Sequence, residues 1–254
     1  NDWKGTVSVF FVDTVSSPVG GYQERYFPMI TSAFVLLVLA RGLTAARHLS
    51  CPSYEDIRLP SVDQDNFNIT EFTGTWYLTA TSEPTLPKFC RCGVNEVSVD
   101  VSQGRYSYHN IDYCDHLERN ISIPILGKLS SDSASPGNLR ENAALFNHTF
   151  LKMLPNYIFH IERNPITKAV DIIYTYACLG NLPLSKKSLF SFNMLTRDNG
   201  FSTAETLSRV QSVNASTEAI LDLSGLRINN STMYAMCGMR VTKLHASVES
   251  DSTA

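Results

Sequence analysis

The sequence predicts an all-β fold, an eight-stranded antiparallel up-and-down β-barrel with one α-helix packed outside it near the C-terminus. Between positions 74 and 197, Pro and Gly separate short segments rich in β-branched and aromatic residues. Eight such segments follow one another with short connections, and a barrel of this kind removes exposed sheet edges by closing on itself. After the last segment, Ser202-Thr203-Ala204-Glu205 has the S-x-x-E pattern of a helix N-terminus.

The composition excludes two classes of protein. The 254 residues are 43% hydrophobic and 18% charged, with a net charge of −3. This is too apolar and too weakly charged for an intrinsically disordered chain. It also lacks the clustered Lys and Arg that a nucleic-acid backbone requires, so no nucleic-acid partner is predicted. The charged fraction lies below the roughly 25% usual for soluble domains, which either a large core or an apolar cavity would produce.

The first 46 residues are predicted to lie outside the fold. Met29–Ala40 reads MITSAFVLLVLA, and small residues follow it at Thr44-Ala45-Ala46. A membrane-spanning helix needs about 20 apolar residues, so this run is too short to span a membrane. It fits a secretory signal peptide over 29–46 that follows an upstream extension over 1–28. The alternative is a buried core helix.

The predicted export divides the chain into three parts. Residues 47–240 form the barrel and its C-terminal helix, and residues 241–254 form a flexible tail. The mature protein is then expected to be secreted and extracellular.

The strands are predicted from alternation and from turn residues. Ser102-Gln103-Gly104 forms a hairpin turn between the second and third strands, and the polar stretch Ser130–Asn142 is expected to be a loop. The fourth strand carries Ile121, Ile123 and Ile125 on one face. The other predicted strands are Gly74–Thr81, Val94–Val101, Arg105–Tyr113, Ala143–Met153, Tyr157–Arg163, Ala169–Leu179 and Ser188–Thr196.

The helix after the barrel begins at Ser202. Leu207 and Val210 follow at helical spacing, and the helix either continues or restarts near Ser216, with Gly225 as a natural stop.

The cysteines and the N-x-S/T sequons agree with export. An even number of cysteines, all after the predicted cleavage point, indicates three disulfides in an exported chain. Zinc is not expected, because Cys90-Arg91-Cys92 lacks C-x₂-C spacing and no paired histidines accompany it. Because strands alternate in direction, Cys90 and Cys92 lie at the same barrel end as Cys114, and either could pair with it. The cysteines are Cys51, Cys90, Cys92, Cys114, Cys178 and Cys237, and the predicted glycosylation sites are Asn68, Asn120, Asn147, Asn214, Asn229 and Asn230.

Two short motifs and their order resemble those of the lipocalin family. Phe72-Thr73-Gly74-Thr75-Trp76-Tyr77 contains G-x-W at the start of the first strand, and Arg197 follows the eighth. The order of G-x-W, eight strands, Arg and a capped helix is similar to the lipocalin pattern over residues 51–240. The family's T-D-Y motif is absent from the loop at Ile161–Pro165. The resemblance implies that the Arg197 guanidinium packs over the Trp76 indole at the closed end of the barrel.

The cysteine positions resemble those of the apolipoprotein D and retinol-binding-protein branch. This resemblance implies a Cys92–Cys237 disulfide, which leaves Cys90 for Cys114. It also implies that Cys51–Cys178 ties the N-terminal segment to the seventh strand. Cys90 and Cys114 are additional to the apolipoprotein D pattern.

No catalytic residue is predicted, because H-E-x-x-H, G-x-S-x-G, P-loop and G-x-G-x-x-G motifs are all missing. The resemblance implies instead a non-enzymatic carrier of a small hydrophobic ligand, such as a retinoid, sterol or fatty acid, or a pigment such as a carotenoid or bilin. No cofactor is required, and a carotenoid or bilin is the chromophore that such a carrier could bind. The alternatives are a secreted glycoprotein interaction module with a filled barrel and a lipocalin-type isomerase, and a homo-oligomer or a protein partner is left open.

Aromatic residues recur at a spacing of two within the strands, so those of one strand share a face. If that face is the inner one, they line an apolar cavity, and the sequence does not decide between the inside and the outside of the barrel. The candidate ligand contacts are Phe89, Tyr106, Tyr108, Tyr157, Phe159, Tyr174, Tyr176, Phe190 and Phe192.

Overall fold

The structure, a computed structural model, describes residues 51–239 except 84–85, 116–118, 146–147, 180–188, 218–220, 222 and 224. The expected extension and signal peptide, the C-terminal tail and the sequon at Asn147 lie outside the described residues. Within the described ranges, none of the helices has the length and hydropathy to cross a membrane.

Eight strands form a closed antiparallel barrel, as predicted. Each strand pairs with the next one along the chain, and β8 pairs with β1 to close the ring. A short ninth strand pairs with the end of β1 at Ala80 and Thr81. The strands are β1 Gly74–Thr81, β2 Cys90–Asp100, β3 Arg105–Cys114, β4 Arg119–Lys128, β5 Asn138–Leu145, β6 His148–Arg163, β7 Val170–Leu179, β8 Leu189–Thr196 and β9 Arg227–Ile228.

The fifth and sixth strands differ from their predicted bounds. The predicted strand Ala143–Met153 spans the end of β5 and the start of β6, and the predicted loop Ser130–Asn142 contains the start of β5. Four of the first five residues of β5 are polar, which made the segment resemble a loop. Pro155 falls between two of the predicted strands, but in the structure it lies inside β6, opposite Arg140.

The described residues contain three α-helices beside the barrel: α1 Tyr54–Ile57, α2 Thr203–Ser216 and α3 Ser231–Met236. The predicted start of α2 is correct, because the Ser202 hydroxyl accepts a hydrogen bond from the Glu205 backbone N–H. Its buried side chains are Thr206, Val210 and Val213.

The structure contains three disulfides, Cys51–Cys178, Cys90–Cys114 and Cys92–Cys237, the same pairs that the resemblance implied. A β-bulge in β2 separates the two neighbouring cysteines. The register is regular from Asp100↔Arg105 to Val94↔Ile111 and then shifts by one residue. The shift places Cys90 directly opposite Cys114 and frees Cys92 for the C-terminal segment.

The outer face of the barrel is identified by what is attached to it. Cys178 of β7 bonds to Cys51 of the N-terminal segment, and Glu162 of β6 accepts a hydrogen bond from Arg209 of α2. The interior of an eight-stranded barrel accommodates only side chains or one small ligand, so neither segment can pass through it. Cross-strand partners share a face and neighbours along a strand alternate. The register therefore assigns every strand residue away from a bulge to the outer or the inner face.

Candidate functional site

Six of the nine predicted ligand contacts lie on the outer face. Tyr176 is two residues from Cys178 and pairs with both Tyr157 and Phe192, while Phe190 pairs with Cys178 itself. Tyr174 and Phe159 belong with them, because the ring of Phe159 lies 6.3 Å from those of Tyr174 and Phe192. The six residues that the structure assigns outside the cavity are Tyr157, Phe159, Tyr174, Tyr176, Phe190 and Phe192.

The reason for this correction is the cover over β6–β8. The backbone N–H of Leu59 donates to the carbonyl of Phe159 at 2.8 Å, so the N-terminal segment crosses this face. Tyr54 packs on Tyr157, with ring centroids 5.5 Å apart. The outer aromatic residues fill the contact between the barrel and its cover. The aromatic spacing thus correctly predicted a shared face, but that face is the outside.

Tyr106 and Tyr108 of β3 face the interior. Phe89 is half-buried in the β1–β2 connection, at the open end of the barrel, and its carbonyl accepts from the Asp115 N–H at 2.9 Å. We call the space enclosed by the inner face the calyx.

The floor of the calyx is built by the predicted pair of Trp76 and Arg197. The guanidinium carbon lies 3.7 Å from the centroid of the fully buried indole. The same guanidinium donates to the carbonyls of Glu71, Thr73 and Thr75 at 2.8, 2.8 and 3.1 Å, which closes this end of the barrel.

The glycine of G-x-W is also explained. Gly74 has a φ of +111°, and a Cβ there would lie 2.7 Å from Arg197 Nη1. A side chain at this position would therefore displace the guanidinium from the indole.

Above the floor, a carboxyl group is held inside the barrel by three donors. Glu141 Oε1 accepts from the hydroxyls of Tyr106 and Tyr108 at 2.9 and 3.0 Å and from Asn156 Nδ2 at 2.5 Å. We call these four residues the Glu141 cluster. Gly127 lies between β3 and β5, and a Cβ there would come within 2.1 Å of the Tyr106 ring. Its lack of a side chain lets the ring lie across β4 and reach Glu141.

Burial raises the pKa of Glu141, and the hydrogen bonds from Asn156, Tyr106 and Tyr108 oppose that rise. Burial also raises the pKa of both tyrosines well above the ordinary value, and the nearby Glu141 carboxylate adds to the effect. The phenols therefore stay protonated and act as donors. Among the described residues, no cation contributes to the pKa of Glu141.

A second inner carboxyl group lies nearer the open end. Asp112 Oδ2 accepts from Asn110 Nδ2 at 2.8 Å, and the side chain is almost fully buried. Burial raises the pKa of Asp112 to about 7, although the Asn110 hydrogen bond and the charge of Arg227 lower it. Three buried acceptors on the inner face have no hydrogen-bond partner: Asn95 Oδ1, Asp112 Oδ1 and Asn156 Oδ1.

The inner face is less completely buried than the covered outer face. Tyr108, Glu141 and Asn193 keep partial accessibility although the barrel wall surrounds them. On the outer face, Tyr174 and Phe192 have none. Solvent therefore reaches part of the inner face.

The predicted glycosylation sites fall into three groups. Asn68 and Asn120 are exposed, and glycans there stay a prediction. Asn214 and Asn230 are half-buried, and each side-chain oxygen accepts a backbone hydrogen bond. Asn229 is 5% exposed and donates to the Leu78 carbonyl at 2.6 Å, so a glycan on it would break a buried contact.

In the part of the chain that the structure describes, no group of three or more His, Cys, Asp or Glu residues could hold a metal ion. The sequence had indicated neither Glu141, Asn156 nor Asp112 as a functional residue. The feature that could have identified them is a polar residue at an inward-facing position of a strand.

No protein-family model and no curated protein sequence matches the chain. Solved structures do. Insecticyanin from the tobacco hornworm Manduca sexta is 16% identical, with a TM-score of 0.50, over 71% of this chain and 86% of that one. Lobster apocrustacyanin A1 is 12% identical over 67% of this chain and 86% of that one, with a TM-score of 0.47. The amine binding protein of Rhodnius prolixus, solved as its tryptamine complex, is 14% identical over 76% and 91%, with a TM-score of 0.48.

At these identities the similarity concerns the fold alone, and the resemblance to the apolipoprotein D branch stays a prediction. The closed eight-stranded antiparallel barrel agrees with the insecticyanin comparison: this chain has the lipocalin fold.

Proposed function

We propose that the protein is a carrier that binds one small molecule in the calyx without changing it chemically. The observation that carries the proposal is the partly accessible inner face above a closed floor. An eight-stranded barrel with unfilled interior space has room for one small ligand. Apolar inner residues that are partly exposed, such as Ile121 and Ile123, would contact the body of the ligand, and the inner polar groups would orient it.

Secretion is part of the proposal. Three disulfides within one domain are typical of proteins that fold in an oxidising compartment. A bound chromophore such as a carotenoid or bilin is also proposed, and the absorption spectrum of protein purified from its natural source tests it. A visible absorption band supports a bound pigment, and a spectrum with protein absorption alone contradicts it.

The two alternative functions have less support. An interaction module with a filled barrel disagrees with the accessible inner residues. For an enzyme, the contact to consider is Ser61 Oγ with His160 Nδ1 at 2.7 Å, since it joins a hydroxyl to an imidazole. This pair lies on the outer face, where Ser61 Oγ also accepts from the Ile161 N–H at 3.2 Å. The contact anchors the N-terminal segment to β6 and does not face the calyx.

The proposal is tested with N-phenyl-1-naphthylamine, a neutral apolar dye whose fluorescence rises on transfer out of water. We expect saturable binding of one dye per chain. Ala177 lies on the inner face of β7 and is partly exposed, so Ala177→Phe should fill the calyx and abolish binding. Ser98→Phe, on the exposed outer side of β2, is the matched control and should bind like the wild type.

Thermal unfolding by circular dichroism shows whether each variant folds, and Ile123→Trp replaces Ala177→Phe if that variant does not. A wild type that binds no dye contradicts the proposal. Equal binding by the calyx-filling variant and the control contradicts it too, because the dye would then bind elsewhere.

A further inference from the structure

We infer that the ligand is an organic cation, a protonated amine on an apolar body, and that its ammonium group binds at the Glu141 cluster. The inference rests on the proposed carrier function, and it names a protonated amine in place of a carotenoid or bilin as the ligand of the calyx. It is carried by the charge of the site and by an unpaired acceptor beside it.

The hydrogen bonds around Glu141 fit a carboxylate. Two phenol hydroxyls and one amide N–H all donate to the single oxygen Oε1. A neutral carboxylic acid does not need three donors on one oxygen, whereas a carboxylate is stabilised by each of them. None of the hydrogen bonds between described residues ends on Oε2, which leaves that oxygen to a ligand.

The carboxylate has no counter-ion among the described residues. Arg227 acts on Asp112, nearer the open end, and Arg197 lies at the floor. An enclosed charge without a partner is unfavourable, and a cationic ligand would supply the partner that the described residues do not provide. An anionic ligand would instead place a second negative charge beside Glu141.

Asn156 is the second, independent observation. Its side chain is 7% exposed, its amide N–H₂ group points at Glu141, and its Oδ1 atom is buried without a hydrogen-bond partner. A buried acceptor left unpaired is destabilising and requires a donor. A primary ammonium carries three N–H donors, so one group can satisfy both Glu141 Oε2 and Asn156 Oδ1.

The neighbouring side chains suit a cation with an apolar body. The rings of Tyr106 and Tyr108 stack with centroids 6.3 Å apart, and aromatic faces attract cations. Toward the open end, Ile121 and Ile123 share the inner face and are partly exposed, so they offer apolar contact to the rest of the ligand.

The experiment compares three probes that differ only in their head group: octylamine, octanol and octanoate. Calorimetric titration of the full chain at neutral pH should show octylamine binding at least tenfold more tightly than octanol, with octanoate the weakest. Glu141→Gln keeps the size of the side chain and removes its charge, and it should reduce octylamine affinity to that of octanol. Glu96→Gln, on the exposed outer side of β2, is the matched control and should keep the wild-type order.

The outcomes separate this inference from the carrier function. If the wild type binds octanol or octanoate as tightly as octylamine, or if Glu141→Gln keeps the preference, the cation site is refuted and the carrier function stands. If neither the three probes nor the naphthylamine dye binds, the carrier function itself fails. Should Glu141→Gln not fold, Asn156→Ala is the second variant, and it must weaken octylamine binding more than octanol binding.

Discussion

The outer and the inner faces of β6–β8 come from alternate residues of the same strands, yet their chemistry differs. On the outer face, Phe159, Tyr174 and Phe192 form a dry aromatic layer beneath the N-terminal segment. On the inner face, Asn193 Nδ2 donates to Thr175 Oγ1 at 3.3 Å and to Ser191 Oγ at 3.1 Å. Close packing for stability and polar, accessible surface for binding therefore lie on opposite sides of one wall of the barrel.

The outer face depends on the segment that covers it, so the disulfide that holds this segment should give the largest effect. Replacing Cys51 and Cys178 by Ala opens a crosslink with a sequence separation of 127 residues. In the chain-entropy model this lowers the free energy of unfolding by about 5 kcal/mol. Urea unfolding measures the loss, and dye affinity of the folded protein should not change because no inner residue is altered.

The Cys90–Cys114 disulfide provides the control, since its separation is only 24 residues. Its removal should cost about 3.5 kcal/mol in the same model. If removing Cys90–Cys114 lowers the free energy of unfolding more than removing Cys51–Cys178 does, the N-terminal segment contributes less to stability than we expect.

The next prediction uses two adjacent residues on opposite faces. Phe192→Ala removes a fully buried ring from the outer layer and should lower the free energy of unfolding by about 3–5 kcal/mol. Asn193→Ala removes inner polar contacts and should change dye affinity instead, with a smaller effect on unfolding. If Phe192→Ala weakens dye binding by the folded protein more than Asn193→Ala does, the two faces have been assigned the wrong way round.

The free energy of unfolding should also depend on pH through Asp112, which lies on the inner face. Burial raises its pKa from 3.8 to about 7 in the folded protein. Between these values the folded state holds a proton that the unfolded state has lost, so the free energy of unfolding falls as pH rises toward 7 and this effect is complete above it. Asp112→Asn does not titrate. From pH 5 to 7 the variant should gain about 2–3 kcal/mol relative to wild type.

Asp100, the last residue of β2, is the control for this titration. The hydrogen bond from Ser102 lowers the pKa of Asp100, so its contribution to stability has the opposite sign and is lost on acidification. Denaturant unfolding at a series of pH values measures both. A difference between wild type and Asp112→Asn that stays constant from pH 5 to 7 would mean that Asp112 is not buried as a neutral acid.

The barrel, the floor and the cysteine pairs could be predicted because their signals are local or few. Alternation and turn residues give strands and their order. The strand directions left Cys90 and Cys92 equally placed for Cys114, so the full set of cysteine pairs came from the family resemblance. Trp76 and Arg197 were found because they lie at the start of the first strand and after the eighth, where the lipocalin pattern has its tryptophan and arginine.

The face of each strand could not be read from alternation, because an alternating pattern is unchanged when the inside and outside are exchanged. Only a contact with a distant segment breaks this symmetry. The expected Cys51–Cys178 disulfide already contained that information, since it puts Cys178, and with it Tyr176, on the outside.

Glu141 was missed for a different reason. It lies in a stretch whose polarity predicted a loop, whereas the polarity reflects a strand that faces a polar calyx. Polar composition therefore indicated solvent exposure where the structure has an enclosed site.

The smallest expected effect comes from the glycine that allows the Glu141 cluster to form. In Gly127→Ala, the new Cβ would overlap the Tyr106 ring at 2.1 Å, so the ring must move away from Glu141. Such overpacking should lower the free energy of unfolding by about 1–3 kcal/mol and weaken octylamine binding. Combining it with Tyr106→Ala separates the causes, because the three heavy atoms nearest to the added methyl all belong to the Tyr106 ring. If Gly127→Ala lowers the free energy of unfolding much less in the Tyr106→Ala background than in the wild type, the interaction between the two sites is established. Equal costs in both backgrounds would show that Gly127 is required for another reason and that the position of Tyr106 does not depend on it.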